Sequence, residues 1–188
     1  MGGRLALAGA GLVVGGLFLG APAPARAGPL VIKTMFMSLE LRNGAVAQQV
    51  EKRIRIKFRD IRLIRRGPSL NPGGAEAKLA DKADKIFLKV QKLLDMRPRR
   101  IKVRVLVLRD QSELNQHYQR IFKRKERKYP VSFYVHKYTT VFTHEGVINE
   151  SILAHELAHA VIDHYFIIMP PRKVQEMLAM YADANLSR

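Results

Sequence analysis

The sequence has 188 residues, of which 26% are charged and 47% are hydrophobic, a composition that suits one globular domain with an ordinary core. It contains no cysteine, which excludes disulfide bonds, a lipid-linked cysteine and thiolate ligands, so any metal site must be built from His and carboxylate side chains. The formal net charge of +17 favours contact with anionic material such as envelope lipids, acidic polymers or nucleic acid.

Residues 1–27 have the pattern of a secretory signal peptide. Arg4 precedes an apolar run over residues 5–19, and the small residues Ala25 and Ala27 close the segment. The run of about 15 residues is shorter than the ~20 that span a bilayer comfortably. We therefore expect cleavage after Ala27, a periplasmic or secreted protein with no stable transmembrane span, and one domain over residues 28–188. The alternative is an uncleaved segment that anchors the protein to the membrane.

The first half of the chain predicts a strand, a loop and a helix. Residues 30–50 have no clear pattern, although 39–44 are compatible with a strand and a turn. Residues 53–59 alternate apolar with basic side chains, which predicts a half-buried strand with a cationic outer face. Residues 67–74 are rich in Gly and Pro and predict a surface loop. Residues 76–96 have apolar side chains at helical spacing and predict a long amphipathic helix that Pro98 closes.

The second half predicts two strand regions and three helices. Residues 101–108 predict a strand whose far half is apolar on both sides, hence central in a sheet. A helix follows over 111–122, and residues 131–135 and 138–143 predict two strands with a turn at His136 and Lys137. Residues 150–165 and 172–185 predict helices, with Asn149 as the N-cap of the first and Pro171 as an early residue of the second. This order of elements predicts an α+β fold.

The predicted helix over 150–165 contains the motif His155-Glu156-Leu157-Ala158-His159. Residues four apart lie on one face of a helix, so both imidazoles can reach one ion with Glu156 beside them. Asp163 shares this face, at about 100° per residue. The opposite face is apolar and should be buried; it is formed by Leu153, Ala154, Leu157, Ala160 and Val161. A chance match of this motif is expected in under ~1% of chains of this size, so we interpret it as a metal site.

A catalytic zinc site needs a third protein ligand and an open position for water. Asp163 lies about 12 Å along the helix from His155, too far for joint ligation, so we expect it to be a solvent-facing or supporting acid. If the break at residues 169–171 reverses the chain, Glu176 stands at the height of the two histidines and Asp183 about 10 Å further along. We therefore predict that His155, His159 and Glu176 bind Zn2+.

Residues 155–163 and 175–181 resemble the gluzincin metallopeptidases, of which thermolysin is the familiar member. The resemblance implies a zincin-like α+β fold, in which a small mixed sheet has an edge strand before the active-site helix and an antiparallel helix follows. It implies that the protein hydrolyses peptide bonds through a zinc-bound water with Glu156 as general base, and that residues 138–143 form the edge strand that pairs with an extended peptide or protein substrate. Where the family commonly has an Asp four residues after the ligand Glu, this chain has Met180, so Asp163 or Asp183 would have to support the zinc histidines.

Two further expectations concern the remaining residues of the site and the alternative function. Tyr181 is the predicted oxyanion donor, with His164 as the second candidate, whereas His136 and two other histidines have no ligand spacing and are interpreted as ordinary surface or sheet residues. The alternative function is a noncatalytic, zinc-containing envelope protein that binds anionic polymer or lipid through basic runs at residues 52–66, 97–109 and 120–128. These runs lack the interleaved aromatic residues of a nucleic-acid platform, and export also argues against nucleic acid.

Overall fold

The computed structural model describes residues 29–56 and 74–187, which form an α+β fold. The predicted signal peptide and most of the predicted loop at 67–74 lie outside this range. The described elements, in chain order, are β1 (Leu30–Lys33), β2 (Met37–Leu41), α1 (Gly44–Arg53), α2 (Gly74–Leu94), β3 (Val103–Leu108), α3 (Gln111–Phe122), β4 (Phe133–Val135), a 3-10 turn (His136–Tyr138), β5 (Thr140–His144), α4 (Glu150–Tyr165) and α5 (Arg172–Ala184).

The five described strands form one mixed sheet in the order β1-β2-β3-β5-β4. β2, β3 and β5 are parallel, while β1 and β4 pair antiparallel at the two edges. The prediction that residues 138–143 form the edge strand is wrong. β5 lies between β3 and β4 and is buried throughout, because it has strand neighbours on both sides. The edge nearest to α4 in sequence is β4, one strand earlier in the chain.

Helices cover both faces of the sheet. Val103, Val105 and Val107 of β3 belong to the core cluster on the side of α1, α2, α4 and α5, whereas Leu106 and Leu108 pack with the cluster beneath α3. Side chains of a strand alternate between the two faces, so a central strand covered on both faces is apolar on both. The predicted central position of β3 is therefore confirmed.

The long helices were correctly predicted, but the strand at residues 53–59 was not. α1 ends at Arg53, and the backbone N–H of Ile54 donates to the Val50 carbonyl as the helix cap. Ile54 is buried with extended backbone, but the Arg55 N–H donates to Glu150 Oε2 at 2.9 Å instead of to a strand. The alternation thus reflects Ile54 and Ile56, which pack against the core after the end of a helix without pairing in the sheet, and residues 57–59 lie outside the described range.

Two features at the end of the chain position the site. The Asn149 side chain accepts a hydrogen bond from the Ile152 N–H at 2.9 Å, which confirms it as the N-cap of α4. Pro171 occupies the N-cap position of α5, directly before its first helical residue. Ser151 of α4 contacts Asp183 and His159 faces Glu176, so α4 and α5 pack antiparallel. Over residues 29–56 and 74–187, no helix combines the length and apolar character needed to cross a membrane.

Candidate metal centre and catalytic cleft

Three potential metal ligands converge between α4 and α5. His155 Nε2 lies 3.7 Å from Glu176 Oε2, and His159 Nε2 lies 3.6 Å from the same oxygen. One donor atom from each of the three residues lies within 4.8 Å of the others. The α4 register brings the two histidines to one face, and the antiparallel return of the chain brings Glu176 opposite them.

This arrangement fits a small divalent ion. Two ligands held about 2.0–2.2 Å from one tetrahedral zinc lie roughly 3.3–3.6 Å apart, close to the separations between Glu176 and each histidine. Burial lowers the pKa of His159, against an opposing effect of the Glu176 charge, and the neutral imidazole is the form that binds a metal. Two imidazoles and one carboxylate leave a fourth position open, as in hydrolytic zinc sites.

Glu156 lies beside these ligands and is held by the segment that leads into β4. Its side chain is only 4% exposed, and its Oε1 accepts a hydrogen bond from Ser132 Oγ at 2.6 Å. Burial raises the pKa of Glu156 to about 7, the nearby charge of Glu176 also raises it, and the Ser132 hydrogen bond acts in the opposite direction. A bound cation would lower this pKa again. A carboxyl group whose pKa is near neutrality can both accept and return a proton.

Asp163 forms a second polar cluster one helical turn beyond His159. Its side chain is 2% exposed, so it is not the solvent-facing residue that the sequence allowed. Tyr134 Oη donates to Asp163 Oδ2 at 2.6 Å, and His136 Nδ1 contacts Asp163 Oδ1. Burial and the hydrogen bond to Asp163 raise the pKa of Tyr134 far above its ordinary value, so the phenol stays protonated and remains the donor.

One cleft of about 650 Å³ joins the two polar clusters. Its walls come from α3, the α3–β4 connection, β4, α4 and the start of α5. The three potential metal ligands and other polar and charged residues line one part of the cleft, and aromatic and basic residues line the other. The lining includes Tyr118, Phe122, Arg124, Lys128, Ser132, Tyr134, His136, His155, Glu156, His159, Asp163, Arg172 and Glu176. A cleft of this size is large enough for several residues of a peptide or for a small-molecule ligand.

The other residues considered from the sequence lie elsewhere. Tyr181 is half-exposed and is outside the set of described residues that line the cleft, as is His164. His164, the second candidate for the oxyanion donor, is exposed. Asp183 accepts a hydrogen bond from Ser151, and Met180 is 62% exposed. The carboxylates of Asp163 and Asp183 are thus engaged by residues other than the two histidine ligands.

Sequence reasoning missed three residues of the cleft: Ser132, Tyr134 and His136. They alternate with other residues along the chain: Ser132 directly precedes β4, Tyr134 lies within it, and His136 begins the 3-10 turn that follows. That alternation was visible in the sequence, but its partners on α4 were not, because the contacts join residues 24 to 29 positions apart. Comparison of the chain with protein-family models, with curated proteins and with solved structures finds no match.

Proposed function

We propose that this protein is a zinc-dependent metallopeptidase with a zincin-like arrangement of sheet edge, active-site helix and antiparallel helix. The observation that carries the proposal is the convergence of His155, His159 and Glu176 around one point, with the buried carboxylate of Glu156 beside them. The donor set lacks thiolates and leaves an open position, which favours a hydrolytic over a purely structural zinc site.

Zinc bound there would supply the Lewis acidity that activates water and a carbonyl group at neutral pH. Glu156 would accept the proton of the attacking water as the water oxygen bonds to the scissile carbonyl carbon. It would then return that proton to the departing amide nitrogen as the C–N bond breaks. Ser132 would orient Glu156 through the 2.6 Å hydrogen bond to its Oε1, together with a hydrogen bond from the Tyr134 backbone to the same carboxylate.

We assign the oxyanion donor to His136 instead of Tyr181. His136 lines the cleft and its Nδ1 contacts the buried Asp163, so the ring is oriented and its Nε2 remains for substrate. In the form of the ring that carries a proton on Nε2, this N–H would donate to the negative oxygen that forms in the tetrahedral transition state. Tyr134 cannot take this role while its hydroxyl proton is donated to Asp163.

The outer edge of β4 is the proposed binding position for an extended polypeptide. β4 pairs with β5 on one side only, and Phe133 and Tyr134 also line the cleft. Backbone pairing to a strand edge holds a peptide largely without regard to its sequence. The substrate would therefore be a segment of polypeptide able to become extended.

The test is cleavage of an unstructured polypeptide by the purified full chain. We expect hydrolysis that a zinc chelator abolishes and added zinc restores, and we expect Glu156→Gln to lose most of it. Stoichiometric zinc in a protein that cleaves no polypeptide would contradict the peptidase proposal and favour a noncatalytic zinc protein.

The assignment of His136 has its own test. His136→Ala should lower kcat by about 10²–10³-fold, the range for loss of one oxyanion donor, with zinc content unchanged. His117→Ala is the matched control, because His117 lies on α3 outside the cleft and its removal should leave kcat unaltered. Equal activity of the two variants would show that His136 is not the donor.

A further inference from the structure

The α4–α5 loop and the outer face of α5 expose an unusual amount of apolar surface. Of the 13 large hydrophobic residues that are exposed in the described part of the chain, eight lie between residues 165 and 181. Ile167 and Ile168 in the loop are 102% and 85% exposed. The set, which we call the apolar ridge, consists of Tyr165, Ile167, Ile168, Met169, Val174, Met177, Met180 and Tyr181.

The ridge continues along one side of α5. At about 100° per residue, Val174, Met177, Met180 and Tyr181 fall within a sector of roughly 120°. The opposite side of the helix carries the buried Ala179 and Ala182, which pack on the core. Apart from Leu178, which is partly buried against the core, α5 therefore buries small residues and exposes large ones, the reverse of an ordinary surface helix. Scattered exposed hydrophobics are normal, but a contiguous group of this kind marks an interaction surface.

The charges around the ridge indicate what covers it. Arg172 and Lys173 lie at the start of α5, and both are exposed. The one acidic residue between 165 and 181 is Glu176. Its Oε2 faces the two histidines of α4, and its Oε1 lies 3.7 Å from Arg172 Nε, so Lys173 is the basic residue of this pair that has no acidic neighbour within the segment. A second copy of this chain would bring two strongly basic bodies together, since Lys and Arg outnumber Asp and Glu by 33 to 16 over the sequence, and like charges repel. An anionic surface is instead attracted to the same residues.

We infer that the apolar ridge docks on an anionic lipid bilayer, with Ile167 and Ile168 inserted between the headgroups and α5 lying in the interface. A helix in this position buries its apolar side at the boundary of headgroups and acyl chains, while basic residues contact anionic lipid. Tyr165 and Tyr181 are of the residue type that prefers this depth. Met169 and Arg172 also line the cleft, so docking brings the cleft to the bilayer surface.

A single tryptophan provides the test, because the natural sequence contains none. The full chain carrying Ile168→Trp is mixed with vesicles of phosphatidylcholine and phosphatidylglycerol, and indole emission is measured with and without brominated acyl chains. We expect a blue shift and bromine quenching. Ile167→Trp is a second reporter, and both sites are exposed enough to accept an indole without repacking. Met35→Trp is the matched control, since Met35 is 46% exposed in the turn between β1 and β2 and its indole should stay in water.

Further arms test the lipid charge and the alternative occupants. In the Ile168→Trp background, Lys173→Gln should weaken partitioning of the protein onto the anionic vesicles about fivefold, which is the effect of one basic residue at an anionic surface. The Ile168→Trp protein should bind much less to vesicles of pure phosphatidylcholine. Absence of a shift at both reporter positions, or an equal shift at Met35→Trp, would overturn the inference. A blue shift that needs no vesicles and grows with protein concentration would also overturn the inference, because a second copy of the chain would then cover the apolar ridge. Equal binding to both kinds of vesicle would overturn the choice of an anionic surface.

Discussion

Glu156 is buried and lies beside the three proposed metal ligands, so its proposed role can be tested separately from metal binding. Glu156→Gln retains a carbonyl oxygen for the Ser132 hydroxyl but cannot accept the proton of an attacking water. We expect turnover to fall by about 10²–10⁴-fold, the usual contribution of general acid–base catalysis, while zinc content remains at one ion per chain. The measurement pairs polypeptide cleavage with metal analysis of the same sample. Near-normal turnover would show that another residue accepts the proton.

Glu176 and Asp183 are the two carboxylates of α5 that compete for the role of third ligand. Glu176 Oε2 lies 3.6 Å from His159 Nε2, whereas Asp183 contacts Ser151, one turn before His155. We expect Glu176→Ala to weaken zinc binding by at least about 100-fold and to remove activity, since a charged ligand is lost. Asp183→Ala should keep the metal.

Competition with a zinc indicator dye would measure both affinities. If Asp183→Ala released zinc and Glu176→Ala held it as tightly as the unaltered protein, the third ligand would be Asp183. The pairing of α4 with α5 would then be displaced by nearly two turns from the contacts described above.

Some residues of the site could be predicted from the sequence, and others could not. His155, Glu156 and His159 follow from spacing within one helix, and Glu176 follows from the reversal at Pro170 and Pro171. The contacts of Ser132, Tyr134 and His136 with α4 require knowledge of which strand lies at the sheet edge. That order depends on packing between distant segments, which short-range periodicity does not record.

At the level of elements, α4 depends on its N-terminal cap because the first residue of the site, His155, lies less than two turns after Asn149. Asn149→Ala removes the hydrogen bond to the Ile152 N–H and should lower the free energy of unfolding by about 1 kcal/mol. Asn43→Ala is the matched control, because Asn43 caps α1 in the same way through the Val46 N–H at 3.0 Å.

Urea unfolding would show both losses as lower midpoints with unchanged slopes. We expect a similar loss of stability in the two variants, but weaker zinc binding in Asn149→Ala alone, since fraying of α4 begins near the ligands. Equal zinc affinity in both variants would show that the cap stabilises the fold without ordering the metal centre.

The sequence predicted an element correctly where its pattern had only one structural explanation. The apolar spacing of α2 and the cap and motif of α4 were sufficient for correct assignments. α1 was missed although Asn43 supplies a cap and Val46, Ala47 and Val50 supply a buried face, because the helix is short and mostly polar. The alternation at Ile54 and Ile56 was mistaken for a strand, because alternate residues of an unpaired segment that pack on the core have the same local pattern as a paired strand.

In the whole molecule, the cleft lies where the two layers of helices meet the edge of the sheet between them. α4 and α5 lie on one face of the sheet, α3 lies on the other, and the β4 edge connects the two sides. Phe133 packs beneath α3 while Tyr134 points toward α4, so neighbouring residues of one short strand contribute to both layers. The cleft can therefore contact a substrate with the sheet edge and with the helix pair at once.

Metal binding should stabilise the entire fold, because the ligands come from both α4 and α5 and exist as a set only when these helices are packed. A ligand that binds the folded state alone adds about 4 kcal/mol at a free concentration 1,000 times its Kd. For a chain of this size, that corresponds to a rise in Tm of roughly 8–16 °C.

We expect zinc to raise the Tm of chelator-treated protein by this amount, and we expect His155→Ala to abolish most of the rise. The Tm of metal-free His155→Ala should be nearly that of the metal-free unaltered protein, since His155 is partly exposed. His117→Ala is again the control and should keep the full rise. Scanning calorimetry with and without zinc measures all three proteins, and an equal zinc response in His155→Ala would show that the stabilising ion binds elsewhere.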